Sequence, residues 1–117
     1  MASGPMQNTW NTTYYTPSRG TKVSSAETTI YKVGNIVIGF IIASISATMS
    51  SSNEVIVTGL PGAKNVMQLP LICVSGTNAG KTGRCRIETN GSILTWFTPF
   101  APVSGEVYLI PVHYICN

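Results

Sequence analysis

The sequence predicts an all-β fold, a small antiparallel β-sandwich or barrel of six or seven strands, and three observations carry that prediction. β-branched residues crowd the middle of the chain, with four Ile and one Val between Ile36 and Ile42. That composition suits a pleated sheet and disfavours a helix. Turn signals recur at regular spacing, at Gly34-Asn35, at Gly59-Leu60-Pro61-Gly62, at Asn90-Gly91 and in the two-proline stretch from Thr98 to Gly105. The segments between them are short, and almost none carries a helical period.

Residues 1–27 are rich in Thr, Ser, Asn, Tyr and Gly without sustained alternation, and read as an extended arm or linker ahead of a head domain at 28–117. Trp10, Tyr14 and Tyr15 imply that the arm docks, on the domain itself or on a neighbouring copy. Thr28 to Val33 is a first strand, and Gly34-Asn35 is a tight turn or bulge. The strand from Ile36 is apolar on both faces through Ile42. It then alternates with Ser44 and Ser46, the pattern of a strand that begins inside and ends half exposed. Met49 to Asn53 is a loop, and Glu54 to Thr58 places Val55 and Val57 on one face. Pro61 and its flanking glycines end that run.

Val66 to Val74 forms a strand provided Pro70 lies at an edge or a bulge. The clearest hairpin follows, with Asn90-Gly91 as a type I′ turn. A two-residue loop pairs Glu88 with Ile93, Ile87 with Leu94, Arg86 with Thr95, Cys85 with Trp96 and Arg84 with Phe97. One face then carries Cys85, Ile87, Leu94 and Trp96 and is core-like. The other carries Arg84, Arg86, Glu88, Ile93, Thr95 and Phe97. Glu106 to Cys116 is a last long strand, apolar on both faces, so it requires cover on both sides. In a chain of 117 residues the second cover is expected from another subunit.

Composition narrows the function classes. Charged residues are 9% of the chain, against about 25% in ordinary soluble proteins. The net charge of +3 is scattered, with no basic run and no interleaving of aromatic and basic residues, so nucleic acid is not an expected partner. The apolar stretch from Ile36 to Met49 is broken by Gly39, Ser44 and Ser46 and is shorter than the roughly 20 residues of a spanning helix. No membrane insertion is expected. Met1 to Gly20 lacks the apolar centre of a signal peptide, and Met1 to Pro5 reads as a flexible leader, so production in a cytoplasm is expected. Cys73, Cys85 and Cys116 are widely spaced, with only His113 to join them, and each lies in a strand-like apolar run. Buried reduced thiols fit this pattern better than a zinc site or a disulfide framework.

Catalytic equipment is thin. The chain has no Asp, four Glu on separate segments and one His. Ser75 to Thr82 approaches a phosphate-binding loop, but Ser75 stands where Gly is required and a strand, not a helix, follows. A surface turn is the better reading. No metal, cofactor or enzymatic activity is expected. Trp96 invites sugar stacking, but the hairpin register places it on the core-like face. The opposite face, with Arg84, Arg86 and Glu88 beside Phe97, offers a mixture of charge and aromatic surface suited to a polar ligand. His113 joins these as a further candidate by its chemistry.

The succession Tyr31-Lys32-Val33-Gly34-Asn35-Ile36-Val37, the Leu60-Pro61 turn, Asn90-Gly91-Ser92-Ile93 and a final aromatic strand resembles the C-terminal head domains of bacteriophage tail fibres and baseplate receptor-binding proteins. The likeness covers about residues 28–117. It implies a homotrimeric β head that binds a bacterial cell-surface saccharide without cutting it, joined through its arm to other phage tail or baseplate proteins. It also implies a place at the tail tip of the virion, after synthesis in the host cytoplasm. The structural alternative is a baseplate, collar or decoration domain of the virion with no ligand. Family sugar sites use aromatic, His, Arg and acidic side chains. Arg84, Arg86, Glu88, Phe97 and His113 are therefore the candidate ligand contacts.

Overall fold

The computed structural model describes residues 12–117, which form nine strands and, among the described residues, no helix. They are β1 (Thr12–Tyr15), β2 (Ser18–Arg19), β3 (Val23–Val33), β4 (Ile36–Ile45), β5 (Val55–Thr58), β6 (Met67–Ser75), β7 (Thr82–Ile87), β8 (Ile93–Thr95) and β9 (Val107–Ile115). All pair antiparallel in one sheet of order β1-β3-β4-β9-β6-β7-β8-β5-β2, curled into a half-barrel. The expected all-β antiparallel class is observed. The count of six or seven strands is not, because β1, β2 and the first half of β3 lie in residues whose polar, non-alternating sequence announces no strand.

Those residues curl the sheet. β1 and β2 act as one strand divided at Thr16-Pro17: Tyr15 lies opposite Ile30 of β3, whereas Ser18 lies opposite Thr58 of β5. β3 and β5 stand near opposite margins of the strand order, so a segment paired to both draws the margins together. Pro17, which has no N–H to give a ladder, sits at the change of partner. Tyr15 packs against the core and the Tyr14 ring lies tilted against that of Tyr31, with centroids 5.7 Å apart, so this part of the arm docks on its own domain. Trp10 lies outside the described residues.

The inner face holds the core. Ile30, Val37, Ile41, Ile87, Ile93, Tyr108 and Ile110 are fully buried there, together with Cys73, Cys85 and Cys116, which are free thiols. Gly39, with φ +146°, stands in the inner row between Ile30 and Val112, and a side chain there would strike the Thr29 carbonyl. Close coiling of β3 on β4 thus requires glycine at that position. A bulge between Val55 and Val57 turns both Ile56 and Val57 into the core, overriding the alternation expected of β5.

Pro70 meets the condition set for it. Cys73 exchanges backbone hydrogen bonds with Lys81 and Gly80 on the β7 side, so by alternation Pro70 presents its nitrogen toward β9. The β6–β9 ladder runs only from Ile72 to Ser75, and Pro70 lies just beyond its end. The gap left there is a cleft of about 330 Å³ lined by Lys64, Asn65, Val66, Met67, Tyr114 and Ile115.

The β7–β8 hairpin corrects the expected register. Its loop has three residues, not two: Gly91 N–H donates to the Glu88 carbonyl at 3.0 Å, and Glu88 N–H donates to Ser92 O at 2.8 Å. Asn90 keeps a negative φ, and its side chain accepts from Ser92 N–H, while only Gly91 is left-handed at φ +86°. This is the three-residue loop with glycine at the left-handed position. Glycine is required there on a second ground, since any side chain at Gly91 would strike the Leu60 carbonyl. Arg86 consequently pairs with Leu94, Ile87 with Ile93 and Cys85 with Thr95. A slip of one residue exchanges the faces of a strand. Ile93 and Thr95 go inside, and Leu94 and Trp96 join Arg84, Arg86 and Glu88 outside.

The last strand is covered on one side only. Tyr108, Ile110, Val112 and Tyr114 are buried, while Pro111, His113 and Ile115 on the other face are exposed. β4 likewise opens to solvent at the end expected to be inside, with Ile36, Ile38 and Phe40 exposed.

Candidate functional site

The corrected register assembles a cluster on the outer face of β7 and the residues following β8. Arg86 is its centre. Its Nε donates to Glu88 Oε2 at 2.9 Å and its Nη2 to Glu88 Oε1 at 3.1 Å, a two-point contact along one strand. Nη2 also donates to Asn53 Oδ1 at 3.0 Å, and the guanidinium carbon lies 3.7 Å from the centroid of the Trp96 ring. A cation over an indole face is stabilised by the ring quadrupole. Trp96 meets Phe97 edge-on, with centroids 4.3 Å apart. Arg84 closes the row by donating through Nη2 to the Phe97 carbonyl at 2.9 Å.

Thr95, fully buried, positions the loop that brings Asn53 to this cluster. Its backbone accepts from Asn53 N–H at 2.7 Å and donates to the Glu54 carbonyl at 2.9 Å. Its hydroxyl accepts from Glu54 N–H and donates to the Ser50 carbonyl, both at 3.0 Å. A second tie comes from Glu54, whose Oε1 accepts from Lys22 Nζ at 2.7 Å and from Ser50 N–H at 3.2 Å. The Lys22 hydrogen bond, then that of Ser50, holds the Glu54 carboxyl below its ordinary value. The loop is thus tied down on both sides of Asn53.

The backbone is strained at this cluster. Among the described residues, two non-glycines have positive φ, Asn53 at 62° and Phe97 at 44°, and both belong to it. Asn tolerates that region, but a bulky aromatic there is a genuine outlier. The strain holds the Phe97 ring 57% exposed beside Trp96. Two hydroxyls with no partner, Ser52 Oγ and Thr98 Oγ1, belong to the residues adjoining Asn53 and Phe97.

Of the five residues singled out in the sequence, the fold brings Arg84, Arg86, Glu88 and Phe97 together. It does not bring His113 to them. His113 lies opposite Ile38 on the outer face of β9, and β6 intervenes between β9 and β7. Sequence reasoning missed Trp96, because the turn was given two residues, and Asn53, because its place depends on Thr95. The loop resembling a phosphate site leads into β7 rather than a helix. Its Asn78 is held from behind by the carboxylate of Glu106, which accepts from Asn78 N–H at 2.6 Å and from Asn78 Nδ2 at 3.2 Å.

Glu106 itself is 1% exposed. Burial would raise its pKa, but the N–H groups of Val103 and Asn78, the Tyr108 hydroxyl at 2.7 Å and the Asn78 amide outweigh that, and it is held at about 2. Four N–H and O–H donors, with the Cys73 thiol at 3.5 Å as a fifth, satisfy one carboxylate and make it a structural staple between the 75–81 loop and the turn before β9. Among the described residues no group of three His, Cys, Asp or Glu side chains is placed to hold a metal.

The Arg86 cluster offers fixed donors at Arg84, carboxylate and amide oxygens at Glu88 and Asn53, and an exposed ring at Phe97. Such a set can hydrogen-bond a polyhydroxylated molecule and stack on its C–H face. A comparison of the chain with protein-family models, with curated proteins and with solved structures finds no match.

Proposed function

We propose that this protein is a non-enzymatic attachment domain of a bacteriophage tail, a homotrimeric head that recognises a saccharide of the host cell surface through Arg84, Arg86, Glu88, Asn53, Trp96 and Phe97. The observation that carries this reading is the cluster itself: a rigid, outward-facing assembly of aromatic and charged side chains whose backbone is strained at two positions. Strain of this kind concentrates where function requires a fixed side chain. The absence of catalysis is part of the proposal. Glu106 is consumed by the staple, Glu54 is paired with Lys22, and Glu88 is paired with Arg86 while keeping lone pairs for a ligand hydroxyl, and all three lie apart from His113. Single saccharide sites of this size bind weakly, and repetition of the site across a trimer raises avidity. The setting at the tail tip of the virion, among other tail or baseplate proteins, comes from the family resemblance.

A second reading, a structural virion domain without ligand, is favoured by the uncovered apolar face of β4 and β9. The two separate on one measurement, binding of the isolated protein to host cells and to an array of cell-wall saccharides. Retention on cells that is competed by a soluble saccharide supports attachment. Failure to bind any host envelope, with correct folding verified, leaves the structural role.

A further inference from the structure

β3 is longer than the strand that covers its outer edge. On one side it pairs with β4 along its length, but on the other β1 reaches only from Val33 to Ile30. Continued without a break, that register would set Pro17 opposite Thr28 and Arg19 opposite Ala26. Proline has no N–H to give, and Ser18 and Arg19 pair with β5 instead. A groove of about 850 Å³ opens where the two segments part, with Thr16 to Thr21 on one wall and Val23 to Ala26 on the other.

The backbone of β3 is unpaired along this groove. Ile45 bonds toward β9, accepting from Gly105 N–H and donating to the Glu106 carbonyl. By alternation Ser44 faces β3, and Ser25, Glu27 and Thr29 face β4. Ala26 and Thr28 therefore turn their N–H and C=O groups into the groove, and among the described residues neither has a backbone partner there. The Ser24 carbonyl on the same edge accepts from Arg19 Nη1, which reaches across from the other wall. Open edges are commonly blunted by Lys or Pro, and Ser24 to Thr29 holds neither. Pro17 and Val23 are buried and Ala26 is half-buried, so the floor is apolar and shallow. Arg19 is the one charged side chain lining the groove.

We propose that this groove binds an extended acidic peptide segment of another protein, which adds as a strand to the free edge of β3. Donors and acceptors that repeat every second residue, about 6.8 Å along a strand, are matched by a second extended backbone. Small side chains at alternate positions of the incoming segment cover Val23 and Ala26. A carboxylate on its other face meets Arg19, whose guanidinium keeps N–H donors beyond the one given to Ser24. The addition displaces no pairing already present, because Ala26 and Thr28 have none on that side. β8, β5 and β2 lie between the Arg86 cluster on β7 and this groove, so the two sites are independent.

The test is amide hydrogen exchange by NMR on the full chain, alone and with the acetylated, amidated peptide Thr-Val-Glu-Ala-Thr-Val at millimolar concentration. In the free protein the Ala26 and Thr28 amides are expected to exchange fast while those of Glu27 and Thr29 are protected. The peptide should slow Ala26 and Thr28 by about tenfold or more, and N-methylation of every second peptide residue, in the phase that faces β3, should abolish the effect. Arg19→Glu should weaken this peptide by about tenfold and favour its Lys-for-Glu counterpart. Ala26→Pro removes one groove-facing N–H and leaves the β3–β4 ladder intact, so it should lose the peptide with its melting temperature retained. Protection of Ala26 and Thr28 in the free protein overturns the proposal, since the 16–20 segment would then close the edge itself. So does an absence of protection with peptide, or equal binding of both N-methylated forms. An Arg19→Glu variant that keeps its preference for the acidic peptide overturns the assigned partner chemistry. None of these readouts involves saccharide, so the attachment reading stands or falls separately.

Discussion

The Arg86 guanidinium lies 3.7 Å from the centre of the Trp96 indole while the same group grips Glu88 through two nitrogens. Both side chains are largely shielded, Arg86 14% and Glu88 22% exposed, so the ion pair and the cation–π contact each contribute about 1–2 kcal/mol. Their value is in holding Arg86 and Trp96 in one geometry. A group so placed has its rotamer cost met before binding.

Replacement of either residue is therefore expected to separate binding from stability. Trp96→Ala, or Arg86→Lys, which keeps the charge but not the planar fork, should weaken binding to host-wall saccharide by about tenfold or more while lowering unfolding free energy by about 2 kcal/mol or less. Titration calorimetry and denaturant unfolding measure the two quantities. An unchanged affinity in both variants would remove the cluster as the site.

Phe97 should behave in the opposite sense to an ordinary surface aromatic. Glycine accepts its φ of 44° without steric cost, so Phe97→Gly is expected to leave stability level or raise it, relieving strain of about 1 kcal/mol against the added freedom of the unfolded chain. Binding should fall at the same time, because the exposed ring is lost. A marked drop in melting temperature would show that the ring supports the fold rather than a ligand.

Glu106 makes stability depend on acid. Its folded pKa of about 2 lies below the ordinary value of 4.5, so its contribution is complete above pH 4.5 and is lost as pH falls toward 2. The direction follows because the unfolded chain binds the proton first as pH is lowered. The shift corresponds to about 3 kcal/mol at neutral pH. Thermal melts from pH 6 to pH 2 should fall steeply in that window for the wild type. Glu106→Gln should start lower and fall less, and parallel curves would contradict the assignment.

Much of the fold was legible because burial imposes a period of two on a sheet with one wet face. The strands at β4, β6, β7 and β9, the turn at Gly34-Asn35 and the placing of Pro70 all follow from local patterns and from what proline and glycine permit. β1 and β2 were not legible, since their Thr, Tyr, Ser and Arg leave no apolar alternation, and what Tyr14 and Tyr15 pack against is set by strands distant in sequence. The site was half legible. Arg84, Arg86 and Glu88 share a face in any register, because they alternate along one strand.

The sequence by itself determined that this chain forms an antiparallel sheet with more apolar surface than its inner face uses, because side-chain composition is local and β4 and β9 are greasy on both sides. Tertiary structure alone decided which residues meet across that sheet. The three-residue loop at Thr89–Gly91 sets the register, and the register carries Trp96 to Arg86. One residue more in the loop thereby exchanges a core tryptophan for an outward one.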